Sequence, residues 1–203
     1  MARATKADRQ LRAVAEEAMG CTRCELYRCG TQTVFGDGPA AADVVLVGEQ
    51  PGDKEDKAGE PFVGPAGRIL DQALEQAGID RQRTYVTNAV KHFRWEGVRG
   101  KQRIHKKPGR AHINACRPWL DQELAIIEPE VVVVLGATAA QALLGPKFKV
   151  TEHRGELLDG TGVAPHVVAT VHPSSILRGP PEDRAQNLAA MVADLRVVAG
   201  VLA

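Results

Sequence analysis

The sequence predicts an α/β fold, with three αβα layers built on a central, mainly parallel four-stranded sheet. Three observations predict it. Four short Val-rich runs, residues 43–47, 85–90, 131–135 and 167–171, are mainly apolar and show no regular polar alternation, as strands are when both of their faces are covered. Helical patterns lie between the runs, and a parallel crossover needs such a covering element. The 203 residues, 44% of them hydrophobic, suffice for one good core and do not demand a second, so a single domain over residues 1–203 is expected.

Residues 1–20 are charged, Ala-rich and amphipathic. The first strand, 43–47, runs into Gly48. A helix over 65–77 opens with Pro65, whose fixed φ suits a first helical position, and stops at Gly78. After the second strand, 85–90, comes a basic loop and then a helix over 111–127. The third strand, 131–135, leads into a helix over 137–144 that ends at Gly145. Residues 155–165 read as a hairpin-like excursion before the fourth strand, 167–171. Gly179-Pro180-Pro181 is a rigid turn, and a helix over 182–198 closes the chain.

The formal net charge of +1 hides an asymmetry: residues 91–117 carry nine Lys or Arg and one acid, Glu96. Such a stretch is either a polyanion-binding patch or a solvated loop, and charge count alone does not separate the two. No apolar run approaches the ~20 residues needed to span a bilayer, and residues 1–20 lack a signal-peptide core; a cytoplasmic protein is expected. Cys21, Cys24, Cys29 and Cys116 do not form the dense framework of a small disulfide-stapled domain, which leaves metal binding as the better reading for some of them. Cys21-Thr22-Arg23-Cys24 puts two thiolates on one tight turn. Its candidate completions are His92 and Cys116, with Cys29 spare. Alternatively Cys116 is a small core residue and His92 an ordinary histidine, and spacing does not distinguish zinc from an iron-sulfur cluster.

In a doubly wound sheet, ligands bind beyond the carboxyl ends of the strands. Polar residues collect there. Gly48-Glu49-Gln50-Pro51-Gly52 follows the first strand, where glycines allow close approach of a ligand and Glu49 either aims a carboxylate inward or caps the next segment. Asn88 ends the second strand. His172-Pro173-Ser174-Ser175 follows the fourth, with Pro173 restraining the chain beside His172. One shared crevice accounts for all three.

Together with Pro61-Phe62-Val63-Gly64 and Thr87-Asn88-Ala89-Val90-Lys91, these segments resemble, in order and over nearly the whole chain, the motifs of iron-sulfur uracil-DNA glycosylases. The likeness is closest to the UdgX subgroup, marked by Gln50 in the first motif and by a basic insert ending in Arg-Ile-His, here Lys101-Gln102-Arg103-Ile104-His105. The resemblance implies a four-iron, four-sulfur cluster on Cys21, Cys24, His92 and Cys116, with His92 where the wider family has cysteine. It implies a substrate pocket in which Phe62 stacks on uracil, Asn88 reads N3–H and O4, and Gln50 contributes to binding. It also implies catalysis by His172 as donor to uracil O2, Glu49 as stabiliser of the sugar cation and proton acceptor, and His105 as a nucleophile that stays bonded to C1′. Lys91, Lys101, Arg103 and Ser174, with Lys106 and Lys107, would hold single-stranded DNA. Trp95 and Trp119 are stacking candidates, Trp119 reading better as core. The partner is uracil-containing DNA, bound by a monomer. Competing readings are a multiple-turnover glycosylase in which Glu49 activates water, a non-catalytic DNA-binding or redox-sensing module, and a zinc site in place of the cluster.

Overall fold

A computed structural model describes residues 4–203; residues 1–3 of the N-terminal amphipathic stretch lie outside it. In chain order the elements are α1 (Lys6–Met19), β1 (Val44–Gly48), α2 (Asp53–Ala58), α3 (Pro65–Ala77), β2 (Thr84–Asn88), β3 (Trp95–Arg99) and β4 (Gln102–His105). There follow α4 (Arg110–Ile127), β5 (Val131–Leu135), α5 (Ala137–Leu144), α6 (Val150–His153), β6 (Leu157–Asp159), β7 (His166–Thr170), α7 (Pro173–Arg178) and α8 (Arg184–Val201).

The main sheet has the order β2-β1-β5-β7-β6. Its first four strands are parallel, and β6 runs antiparallel to β7 with Leu157 opposite Val168 and Asp159 opposite His166. The sheet therefore has five strands and not the expected four, because the excursion at 155–165 returns as an edge strand. Successive strand residues point to opposite faces, which divides the core in two. Val45, Val47, Tyr85, Val132, Val134, Val167 and Ala169 pack with residues of α1, α4 and α5. Val44, Leu46, Val86, Val131, Val133, Leu135 and Val168 pack with α3 and α8. Both faces are thus covered, which is why the runs carry no polar alternation.

The insert is not a loop. β3 and β4 form a separate two-stranded antiparallel hairpin, with Trp95 opposite His105 and Arg99 opposite Gln102 across a turn at Gly100. No helix among the described residues is long and apolar enough to cross a membrane.

Candidate active site

A cleft of about 990 Å³ opens at the carboxyl ends of β1, β2, β5 and β7. Glu49, Gln50, Phe62, Asn88, His105, His172 and Ser174 all line it, so the structure brings together seven residues drawn from separate motifs.

The floor is shaped by close approach. Gly48, the last residue of β1, lies opposite Asn88 of β2. A methyl group on Gly48 would sit 2.4 Å from Asn88 Oδ1 and 2.7 Å from Phe62 Cζ, so only glycine leaves both side chains in place. Phe62 adopts a left-handed φ of 58°, uncommon for a bulky residue and costing on the order of 1–3 kcal/mol. Its carbonyl lies where a Cβ on Gly67 of α3 would be, so the strained turn is seated on a glycine. Glu55 holds the same wall, accepting from Gly64 N–H at 2.7 Å and Gly52 N–H at 3.2 Å. Phe62 stacks towards His172 with ring centroids 6.1 Å apart.

His172 follows β7 and caps α7. Its Nδ1 accepts from Ser174 N–H at 3.2 Å and lies 2.8 Å from Ser174 Oγ. A backbone N–H only donates, so the ring proton belongs on Nε2. Burial pushes the imidazole down to about 4 against the attraction of Glu49. At neutral pH His172 is therefore an uncharged Nε2–H donor. Ser174, expected to bind DNA, orients His172 and accepts from Arg178 at 3.0 Å.

Glu49 lies just past β1, with Oε1 3.2 Å from His105 Nε2. Its Oε2 accepts from the Thr138 hydroxyl, in the first turn of α5. Burial alone would raise its pKa, but the hydrogen bonds from His105 and Thr138 and the nearby His105 and His172 outweigh it and hold the carboxyl below the usual range. Thr138 carries no sequence signal, since nothing at Ala137-Thr138-Ala139 marks a site.

The hairpin that carries His105 is fixed at its base. Gln50 is buried and donates to the carbonyls of Arg94 at 3.0 Å and Lys106 at 3.1 Å while accepting from Arg94 N–H at 3.2 Å. It joins the two arms flanking Trp95 and His105. Arg103 pairs with Asp53 at 2.5 Å and Asp56 at 2.8 Å, with its guanidinium over the rings of Phe93 and Trp95. Its side chain is 14% exposed, so it anchors the hairpin and is not available to DNA. Lys91 is also withdrawn from the expected DNA contacts: it is fully buried and paired with Glu123 at 2.5 Å, and Lys106 is paired with Glu96. Lys101 is exposed at the hairpin turn, and exposed Lys54, Arg99, Lys107 and Arg178 line the cleft. Trp119 is buried, as its setting beside Pro118 suggested.

Cys24 and Cys116 influence each other's ionisation: their interaction pulls the Cys24 thiol down to about 6 and, with burial, pushes the Cys116 thiol up. Cys21 accepts from Trp119 Nε1 at 3.2 Å and Cys116 from Lys91 N–H at 3.4 Å. His92 is buried. The Thr33 hydroxyl donates to Ala18 O and lies 3.0 Å from His92 Nε2, so Nε2 carries the ring proton and Nδ1 a lone pair. That Nδ1 is buried without a hydrogen-bond partner, and burial holds the imidazole below its ordinary pKa. A neutral histidine with an orphaned lone pair and the thiols of Cys21, Cys24 and Cys116 are the donor types that a thiophilic metal cluster takes, although among the described residues no three His, Cys, Asp or Glu side chains are grouped closely enough to hold a single metal ion. Cys29 is exposed.

Fold and site define a class, for residues 35–196 match the Uracil DNA glycosylase superfamily and the chain belongs to it. Within that class it is similar to the Type-4 uracil-DNA glycosylase of Thermotoga maritima, 38% identical over 166 residues that cover 81% of this chain and 82% of that one. It is also similar to the Type-4 uracil-DNA glycosylases of Pyrobaculum aerophilum, at 34% identity over 84% of this chain and 86% of the relative, and of Sulfurisphaera tokodaii, at 32% over 84% and 77%.

Proposed function

We propose that this protein is a cytoplasmic, monomeric uracil-DNA glycosylase of the iron-sulfur, UdgX type, which excises uracil from DNA, preferentially single-stranded, and captures the exposed sugar on His105. The observation that carries the reading is the contact between His105 Nε2 and Glu49 Oε1 at 3.2 Å, on the rim of a pocket shared with Phe62, Asn88 and His172.

Uracil must leave the base stack to enter such a pocket. Phe62 offers it a face, and the Asn88 amide supplies an acceptor for N3–H and a donor for O4, a pattern cytosine does not match. As the C1′–N1 bond breaks, its electron pair leaves with the base, and the charge gathering on uracil O2 meets the Nε2–H of neutral His172. A neutral donor suits this step, as it does not need to give up its proton. The sugar becomes cationic beside the Glu49 carboxylate. One nitrogen of His105 then bonds to C1′ while the ring proton passes to Glu49, leaving a neutral N-glycosyl imidazole. Such a bond has no easy leaving group, so each molecule acts once. The insert favours capture over attack by water because Gln50 and Arg103 fix its two arms.

Cys21, Cys24, His92 and Cys116 would hold the four-iron, four-sulfur cluster, which when bound supplies multivalent cross-linking of the N-terminal arm to the body. The arm in turn supports the hairpin: Trp95 Nε1 donates to Cys29 O at 2.7 Å and Arg103 to Thr31 Oγ1 at 3.2 Å.

The test is denaturing electrophoresis after mixing the protein with a labelled uracil-containing single strand, beside thymine-containing DNA and a His105→Ala variant. The expected result is a slow band that survives boiling, requires uracil and vanishes without His105. Release of uracil with free abasic DNA and no such band would instead establish turnover through water.

A further inference from the structure

Lys91 has no role in the chemistry above, yet it is fully buried and charged, and every proton of its ammonium is used. Nζ donates to Glu123 Oε2 at 2.5 Å, to Thr87 Oγ1 at 2.6 Å and to the main-chain carbonyl of Asn88 at 3.0 Å. Glu123 is fully buried as well and also accepts from Tyr85 OH at 2.9 Å, from the Thr87 hydroxyl and from Gly36 N–H at 3.1 Å. A buried ion pair of this kind is no more stabilising than well-packed apolar residues in the same volume. Its geometry points to another use. The side chain folds back over its own strand end and closes the corner at residues 87–91, whose main chain is pinned on the other side by Ala89 N–H to Gly48 O at 2.9 Å and Val90 N–H to Glu49 O at 3.0 Å. The corner leads on to the cysteine-bearing region, since Lys91 N–H donates to Cys116 Sγ at 3.4 Å and its carbonyl accepts from Val34 N–H at 2.8 Å.

We infer that Lys91, seated on Glu123, is a positioning residue for uracil recognition: by holding the carbonyl of Asn88 it sets the plane in which the Asn88 amide meets the base. The inference rests on the uracil-reading role of Asn88 proposed above. It also assigns Lys91 a function other than phosphate binding, and the two make opposite predictions about salt.

The experiment uses Lys91→Met, Glu123→Gln and the double variant, assayed as cluster-loaded protein under single-turnover conditions with uracil-containing single-stranded DNA, and with free uracil as competitor. Lys91→Met alone strands a buried carboxylate and should be much less stable. Lys91→Met with Glu123→Gln leaves an uncharged acceptor for Gly36, Tyr85 and Thr87, so it should recover most of the stability. The double variant is expected to need about tenfold more protein for half-saturation and about tenfold more free uracil for inhibition, the factor one misaligned hydrogen bond is worth. Its salt dependence of DNA binding should be unchanged. Glu123→Gln alone, which keeps Nζ on Asn88 O, should retain wild-type half-saturation. A double variant that regains wild-type affinity for uracil would overturn the inference, as would a reduced salt slope, or a Glu123→Gln variant that loses uracil affinity with Lys91 in place. If the unaltered protein neither releases uracil nor forms an adduct, the functional reading falls first and takes this inference with it.

Discussion

Gly48→Ala separates the site from the fold. Gly48 ends β1 with extended backbone open to any residue, and its side-chain position faces the pocket. An added methyl group would lie 2.4 Å from Asn88 Oδ1 and 2.7 Å from Phe62 Cζ, against ordinary contacts of about 3.5–4 Å. Asn88 and Phe62 must therefore retreat by roughly 1 Å, and a misplacement of that size costs about 10²-fold in rate. Replacing a strand glycine by alanine otherwise gains about 0.4–1 kcal/mol by restricting the unfolded chain, which offsets part of the clash, so the melting temperature should move little. The assay is the single-turnover rate of uracil release or capture, with thermal unfolding measured on the same preparation. Loss of about two orders of magnitude in rate with near-normal stability is expected. A Gly48→Ala protein that reacts at the wild-type rate would refute the assignment of Asn88 and Phe62 as the uracil pocket.

Other outcomes follow from the same geometry. The pKa of His172 is depressed to about 4 in the fold from an ordinary 6.5, so on acidification the unfolded chain takes up the proton first. Stability should fall as pH drops from about 6.5 to about 4, by on the order of 3 kcal/mol in all, and a His172→Gln variant should show a flatter melting-temperature profile across that window. Because Lys101 and Lys107 are exposed whereas Lys91 and Arg103 are occupied by carboxylates, Lys101→Ala and Lys107→Ala should each lower the slope of log affinity against log salt by about 0.7 for single strands. The double variant Lys91→Met with Glu123→Gln should leave that slope alone. His92→Ala removes the orphaned Nδ1 donor and should reduce the visible absorption of anaerobically purified protein, while His92→Cys should restore it.

The strands were legible in the sequence because residues 44–47, 131–135 and 167–169 are buried on both faces, and an unbroken Val-rich run is the pattern that two covered faces demand. The pocket was legible because polar side chains such as Glu49, Asn88 and His172 at strand ends are costly to the core and are tolerated where a ligand meets them. The hairpin was not, since Trp95–Arg99 and Gln102–His105 are exposed over most of their length and carry no buried period. Nor did the charge run show which cations were already neutralised. Lys91 meets Glu123, 32 positions away, and Arg103 meets Asp53, 50 positions away, and such pairings exist only once the chain has folded. The resemblance assigns Gln50 to substrate binding, and it lines the cleft, but its amide also bonds main-chain atoms of Arg94 and Lys106, partners that leave no mark in a sequence.

Whether His105 or water receives the sugar is decided most directly by intact-mass analysis of the protein after reaction with a short uracil-containing single strand, followed by proteolysis and fragmentation of the modified peptide. Capture by His105 predicts a product whose mass is that of protein plus oligonucleotide less uracil, with the sugar on the peptide containing His105. Unmodified protein beside free abasic oligonucleotide would contradict it.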